Sequence, residues 1–68
     1  MEIFSRRLQG LREQRQINRR VASELCGLNQ GAFARYERGV REPSARALGA
    51  IADGFGVSMD YLWGRSEK

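Results

Sequence analysis

Of the twelve basic residues in this chain, eleven are arginine, the side chain whose planar, permanently charged fork matches phosphate oxygens and the edge of guanine. Residues 1–41 hold nine of them (6, 7, 12, 15, 19, 20, 35, 38 and 41) against four glutamates, whereas residues 42–68 hold three bases and four acids. Such an imbalance suggests a polyanionic partner, and its bland alternative is a solvated charged face, which is common on small domains. Catalytic chemistry has no comparable support. The chain has no histidine, no nucleophile paired with a base and no glycine-rich phosphate loop after a strand, so an enzyme is not expected. Cys26 is the lone cysteine and cannot form an internal disulfide, and zinc would need carboxylates around a single thiolate. No metal, cofactor or small-molecule substrate is therefore expected.

Sixty-eight residues leave room for one small domain, expected over 1–68 with an ordered core at about 3–64. A chain of this size buries only roughly 60% of the surface it exposes when unfolded. The hydrophobic fraction of 41% and mean hydropathy of −0.57 suit a soluble helical domain. No apolar run approaches the roughly 18 residues of a membrane span and no signal-peptide core is evident, so the expected compartment is the cytoplasm.

Apolar periodicity supplies the scaffold for the arginines. Phe4, Leu8 and Leu11 predict an amphipathic helix from about Ile3 to Gln14. Asn18 is placed to cap a second helix that runs to about Cys26 and stops at Gly27. Asn29 is placed to cap a third helix of about eight residues, with Phe33 and Tyr36 inward and Gly39 as its end. Pro43 marks the following segment as a loop. Ser44 then opens a fourth helix carrying Leu48, Ile51, Ala52 and Phe55, which Gly54 and Gly56 are expected to break. Ser58 and Asp60 open a last short helix with Tyr61, Leu62 and Trp63, closed by Gly64. The reading is all-α, with five short helices and no strand-like alternation.

The run NRRVASELCGLNQGAFARYERG, Asn18 to Gly39, meets the requirements of a helix-turn-helix: a glycine turn at Gly27, inward anchors at Leu28 and Phe33, and outward polar reach from Gln30 and Arg35. Together with LQGLR at 8–12, RYERG at 35–39 followed by Pro43 and Ser44, and GVSMDYLWG at 56–64, it resembles the phage repressor and Cro family, the XRE-like regulators. The resemblance extends from about Phe4 to Gly64. It implies a compact lambda-repressor-like fold in which helices two and three form the helix-turn-helix.

Carried over residue by residue, the resemblance makes Asn29, Gln30, Gly31, Ala32 and Arg35 the groove-facing positions of a recognition helix. Gln30 could present a bidentate amide to adenine and Arg35 a fork to guanine, each worth roughly 1–3 kcal/mol of base discrimination. Asn18, Arg19, Arg38, Arg41 and Ser44 become phosphate contacts, which position the domain without reading sequence. Arg12 and Glu37 match a structural ion pair. Tyr61 and Trp63 fall where such domains often meet a second copy. The implied function is a transcriptional regulator, a phage or bacterial repressor acting as a homodimer on a near-palindromic double-stranded DNA operator. The alternative is an antitoxin-like or other protein-interaction module on the same fold.

Blander roles stand beside several of these residues. Asn18 and Asn29 serve as caps with or without DNA, Arg6, Arg7, Arg15 and Arg20 read as solvated charges, and Cys26 reads as a packed thiol. The second helix departs from the family pattern. Ala22 and Ser23 stand where leucine and alanine are usual, while Val21 and Leu25 occupy positions that are usually polar. Either the helix rotates to bury Val21 and Leu25 or they form a surface apolar patch, and rotation or partial burial is the expectation.

Overall fold

A computed structural model describes residues 2–67, so Met1 and Lys68, the two ends of the predicted domain range, lie outside the described residues. Five helices follow in order: α1 (Glu2–Gln14), α2 (Arg19–Leu25), α3 (Ala32–Glu37), α4 (Ala45–Phe55) and α5 (Met59–Trp63). No strand occurs among the described residues, and the all-α, five-helix class is as predicted. Asn18, Ser44 and Ser58 each accept the backbone N–H three residues ahead, from Val21, Ala47 and Tyr61 respectively. These caps satisfy donors that helix geometry leaves without partners.

The core forms where the apolar faces converge. Phe4 and Leu8 of α1, Phe33 of α3, Ile51 of α4 and Leu62 of α5 have essentially no solvent exposure. Edge-on contacts join Phe4 to Tyr36 at 5.9 Å and to Trp63 at 5.7 Å between ring centroids, so α1 binds α3 and α5 through one side chain. Phe33 meets Phe55 at 5.9 Å and links α3 to α4.

The second helix does not rotate. Ala22 and Ser23 are its buried residues, Val21 is half-buried, and Leu25 remains 45% exposed. The expected partial burial thus holds for Val21 but not for Leu25, and two physical reasons account for the absence of rotation. The Ser23 hydroxyl accepts the buried Phe33 N–H at 3.2 Å, and turning it outward would strand a donor at a cost of about 1–3 kcal/mol. Small side chains also let α2 lie close to α4, where a Cβ added at Gly54 would sit 2.9 Å from the Cys26 Sγ. A helix turned to seat valine and leucine at that contact would have to stand farther off.

Gly54 accordingly lies inside α4 instead of breaking it, and the helix ends at Gly56. Burial pushes the Cys26 thiol up to about 11, with the Arg15 charge pulling weakly the other way. Arg7 is likewise half-buried and not the solvated charge that the sequence suggests, while Arg15 stays exposed, as expected, yet makes contacts across the fold. Arg7 stands 4.2 Å over the Tyr61 ring and donates to the carbonyls of Tyr61 and Ser66. Arg15 stands 4.7 Å over Phe55 and donates to the Gly54 and Phe55 carbonyls. Both cations satisfy carbonyls at or just beyond a helix C-terminus, where the dipole favours positive charge. Arg6 and Arg20 do remain at the surface, paired one turn away with Glu2 and Glu24.

The Gly54 contact predicts a reversal of sign. In the parent chain Gly54→Ala should lower the unfolding temperature, because the new methyl meets the Cys26 sulfur. With Cys26→Ala also present, the same change should become stabilising by up to about 1 kcal/mol, the helix preference of alanine over glycine. Thermal unfolding of the two single variants and the double variant checks it, and additive effects would count against the close contact.

Candidate nucleic-acid interface

The recognition segment is built from α2 outward. After Leu25 the chain turns through Gly27, and the Leu28 N–H returns to the Ser23 carbonyl at 2.8 Å. Asn29, Gln30 and Gly31 then form a tight turn instead of the first turn of a helix. Gly31 has φ of +83° and is itself the residue preceding α3, while the Ala32 N–H bonds to the Asn29 carbonyl at 3.0 Å. The prediction that Asn29 caps an eight-residue helix is thus corrected. The helix has six residues, begins at Ala32, and takes its side-chain cap from Ser23 of the preceding helix. A left-handed residue between Asn29 and α3 separates the amide from the donors it would have capped.

This turn divides the predicted base readers. Asn29, Ala32 and Arg35 line an open groove of about 470 Å³ together with Arg41, Ser44 and Arg46, between α3 and the start of α4. Gln30 instead lines a separate depression with Arg20, Glu24 and Leu28 on the α2 side. Arg38 lies in a third, beside Ser5, Arg6 and Gln9 of α1. Arg35 is half-buried, and its guanidinium folds back over the turn so that a Cβ at Gly31 would lie 3.1 Å from Nη1. Gly31 therefore supplies both the backbone conformation and the space that Arg35 occupies.

Arg46 is absent from the residues that the sequence singles out, although one signal points to it. Its helix carries no acid in the first turn, where acids usually complement the dipole, so an arginine there favours an external anion over the helix's own terminus. Asn18 and Arg19 stand at the start of α2, with Arg19 half-exposed. The Arg19 Nε donates to Glu37 Oε1 at 3.0 Å. Glu37 also receives the Arg12 fork, Nε to Oε2 at 2.8 Å and Nη2 to Oε1 at 3.2 Å. The hydrogen bonds to Glu37 raise the Arg12 pKa above its already high ordinary value.

Residues 3–62 match the family model described as a helix-turn-helix domain. The chain belongs to the helix-turn-helix domain family. That family is not one of enzymes, and membership agrees with the resemblance to XRE-like regulators. Among curated proteins, this helix-turn-helix chain is 36% identical over 62 residues to the HTH-type transcriptional regulator AnsR of Bacillus subtilis (strain 168). The match covers 91% of this chain and 53% of AnsR. It is 33% identical over 60 residues to YqaE of the same organism, described as an uncharacterized HTH-type transcriptional regulator, covering 88% of this chain and 52% of that protein. The chain thus spans about half the length of these relatives. No solved structure matches it at a significant level.

On the face formed by α5 and the start of α1, Ile3 and Met59 are each 50% exposed and Trp63 is 39% exposed. Met59 and Trp63 lie one helical turn apart and share a side of α5. Tyr61 is turned away from them, half-buried beneath Arg7. Of the two predicted contact residues, Trp63 is therefore the one presented outward. No helix among the described residues is long and apolar enough to cross a membrane.

The left-handed turn predicts that Gly31→Ala lowers stability by about 1–2 kcal/mol, the cost of placing a Cβ residue in that region. Gly31→Asn should cost less, because asparagine tolerates the conformation. Denaturant unfolding of both variants distinguishes them, and equal losses would argue against the left-handed backbone.

Proposed function

We propose that the chain acts as the sequence-specific, double-stranded DNA-binding domain of a transcriptional regulator, with residues 1–68 working as one unit. The observation that carries this reading is the continuous groove in which Asn29, Arg35, Arg41, Ser44 and Arg46 converge beside α3. Two matching curated proteins bear the name transcriptional regulator, which supports it. In this reading α3 enters the major groove and Arg35 faces base edges, with Asn29 and Gly31 at the entrance and Gln30 reaching from the α2 side; Ala32, expected to meet a base, is instead 5% exposed and belongs to the core. Arg41, Ser44 and Arg46 grip one backbone strand, Asn18 and Arg19 grip the other, and Arg38 is the outlying cation. With few long side chains aimed at bases, groove shape contributes to recognition.

The finer proposal is a cytoplasmic repressor that binds a near-palindromic operator as a homodimer. The patch of Ile3, Met59 and Trp63 supports a second copy as its occupant, and binding two half-sites requires the paired α3 helices to stand about 34 Å apart, one turn of the duplex. A protein-interaction module remains the competing reading, favoured by the exposed Leu25 beside half-buried Val21.

Selection of bound duplexes from a random pool, at two salt concentrations, tests the proposal. Arg35→Ala should change the preferred base at one operator position. Arg41→Ala and Arg46→Ala should weaken all sequences alike and lower the slope of log affinity against log salt by about 0.9 for each phosphate that is no longer neutralised. Trp63→Ala should convert dimer to monomer in sedimentation. Equal affinity for selected and random duplexes would defeat specific recognition. Silence of Arg35→Ala and Gln30→Ala, with a protein partner released on changing Leu25, would favour the competing module.

A further inference from the structure

The Glu37 carboxylate is enclosed within the helix-turn-helix, with its side chain 4% exposed. Arg12, 14% exposed, already neutralises it through two hydrogen bonds from Nε and Nη2. A second guanidinium nevertheless joins the same carboxylate, and it belongs to Arg19, whose side chain is 53% exposed. The cluster of two arginines and one glutamate therefore carries one excess positive charge, and the excess rests on its outermost member. Arg19 is attached through Nε alone. Among the described residues, its Nη1 and Nη2, with four of the five N–H donors of a guanidinium, make no hydrogen bond.

We propose that Glu37 is a positioning residue for DNA-backbone binding, holding Arg19 by Nε so that both Nη groups are presented to a phosphate. The inference rests on the reading above in which Arg19 meets the backbone. A free arginine on a helix surface must be ordered when it binds, and ordering one flexible side chain weakens binding about 2- to 12-fold. The bond to Glu37 orders Arg19 beforehand. The same bond fixes the fork while leaving the face that suits a bidentate phosphate contact open. Arginine is required for this arrangement. A lysine ammonium has three donors but one nitrogen, so it can touch Glu37 and a phosphate at once yet cannot be held through one nitrogen while two others offer a planar bidentate fork.

The proposal opposes the sign expected from charge. Removing an acid from a polyanion-binding surface should by itself tighten binding. If Glu37 positions Arg19, Glu37→Gln should instead weaken binding about 2- to 12-fold. The probe is a labelled, mixed-sequence duplex of about two helical turns, titrated at two salt concentrations, well below the unfolding temperature of each variant. In an Arg19→Gln background, Glu37→Gln should lose that effect or tighten binding. Arg19→Lys, which leaves Glu37 and its Arg12 pair in place, supplies the test if Glu37→Gln does not fold. It should keep the parent salt slope yet bind more weakly by a similar factor.

Tighter binding by Glu37→Gln, equal weakening by that change in both backgrounds, or parent-strength binding by Arg19→Lys would overturn the proposal. Unchanged affinity and salt slope in Arg19→Gln would remove the phosphate contact itself and so overturn the underlying reading as well. Weaker binding by Arg19→Gln, with Arg19→Lys at parent strength, would sink the positioning role alone.

Discussion

A carboxylate cannot be enclosed without its counter-charges, and Glu37 has taken its counter-charges from two other helices. It is the last residue of α3. Its partners are Arg12 near the end of α1 and Arg19 at the start of α2, and Arg12 also donates to the Ile17 carbonyl in the connection between them. Removing one partner of such a buried pair characteristically costs about 3–5 kcal/mol, because the survivor is left uncompensated. The end of α1, the link after it, the start of α2 and the end of α3 are thus conditional on one another. Six residues are far too few for a helix to persist alone in water. With Ser23 holding its first turn and Glu37 its last, α3 is fixed at both ends by its neighbours, which lets so short an element present side chains in a defined direction.

That fixation constrains what α2 can bury. Ser23 must face α3 to accept the Phe33 N–H, and Cys26, at the end of α2, must be small where α4 approaches at Gly54. The helix's own larger residues are displaced to the rim, leaving Val21 half-covered and Leu25 outside. A polar tie and a close helix contact leave this leucine outside, on the surface that the protein-interaction reading would use. Single exposed apolar residues are ordinary on protein surfaces, whereas Ile3 and Trp63 line one depression and Met59 lies one helical turn from Trp63.

Much of the fold is legible in the sequence because it depends on local chemistry. Caps at Asn18, Ser44 and Ser58 and the apolar stripes of α1 and α4 involve residues three or four apart, and there the sequence and the structure agree. The disagreements share a different origin. The orientation of α2, the continuity of α4 through Gly54 and the packing of Arg7 and Arg15 are each decided by a partner on another helix. Local pattern cannot weigh a separation of 54 positions from Arg7 to Tyr61 or of 39 from Arg15 to Gly54. The start of α3 differs for a mixed reason: asparagine is a good cap, but Gly31 two residues on prefers a left-handed turn, and the Phe33 N–H already has Ser23. At the candidate interface, the family pattern identifies the positions near α3 but not their division among separate depressions, nor Arg46.

The same distinction changes what the charge count means. Nine arginines in residues 1–41 suggest a broad basic face, yet Arg7 and Arg15 neutralise helix ends, Arg12 neutralises Glu37, and Arg6 and Arg20 stand beside surface glutamates. The cations left facing a shared groove are Arg35, Arg41 and Arg46, one of which lies outside the basic segment altogether. Salt dependence of polyanion binding counts phosphates neutralised, not arginines present. Net charge therefore overstates the reach of this surface, and the internal arginines serve chiefly to hold the short helices in the relation that lets the remaining few converge.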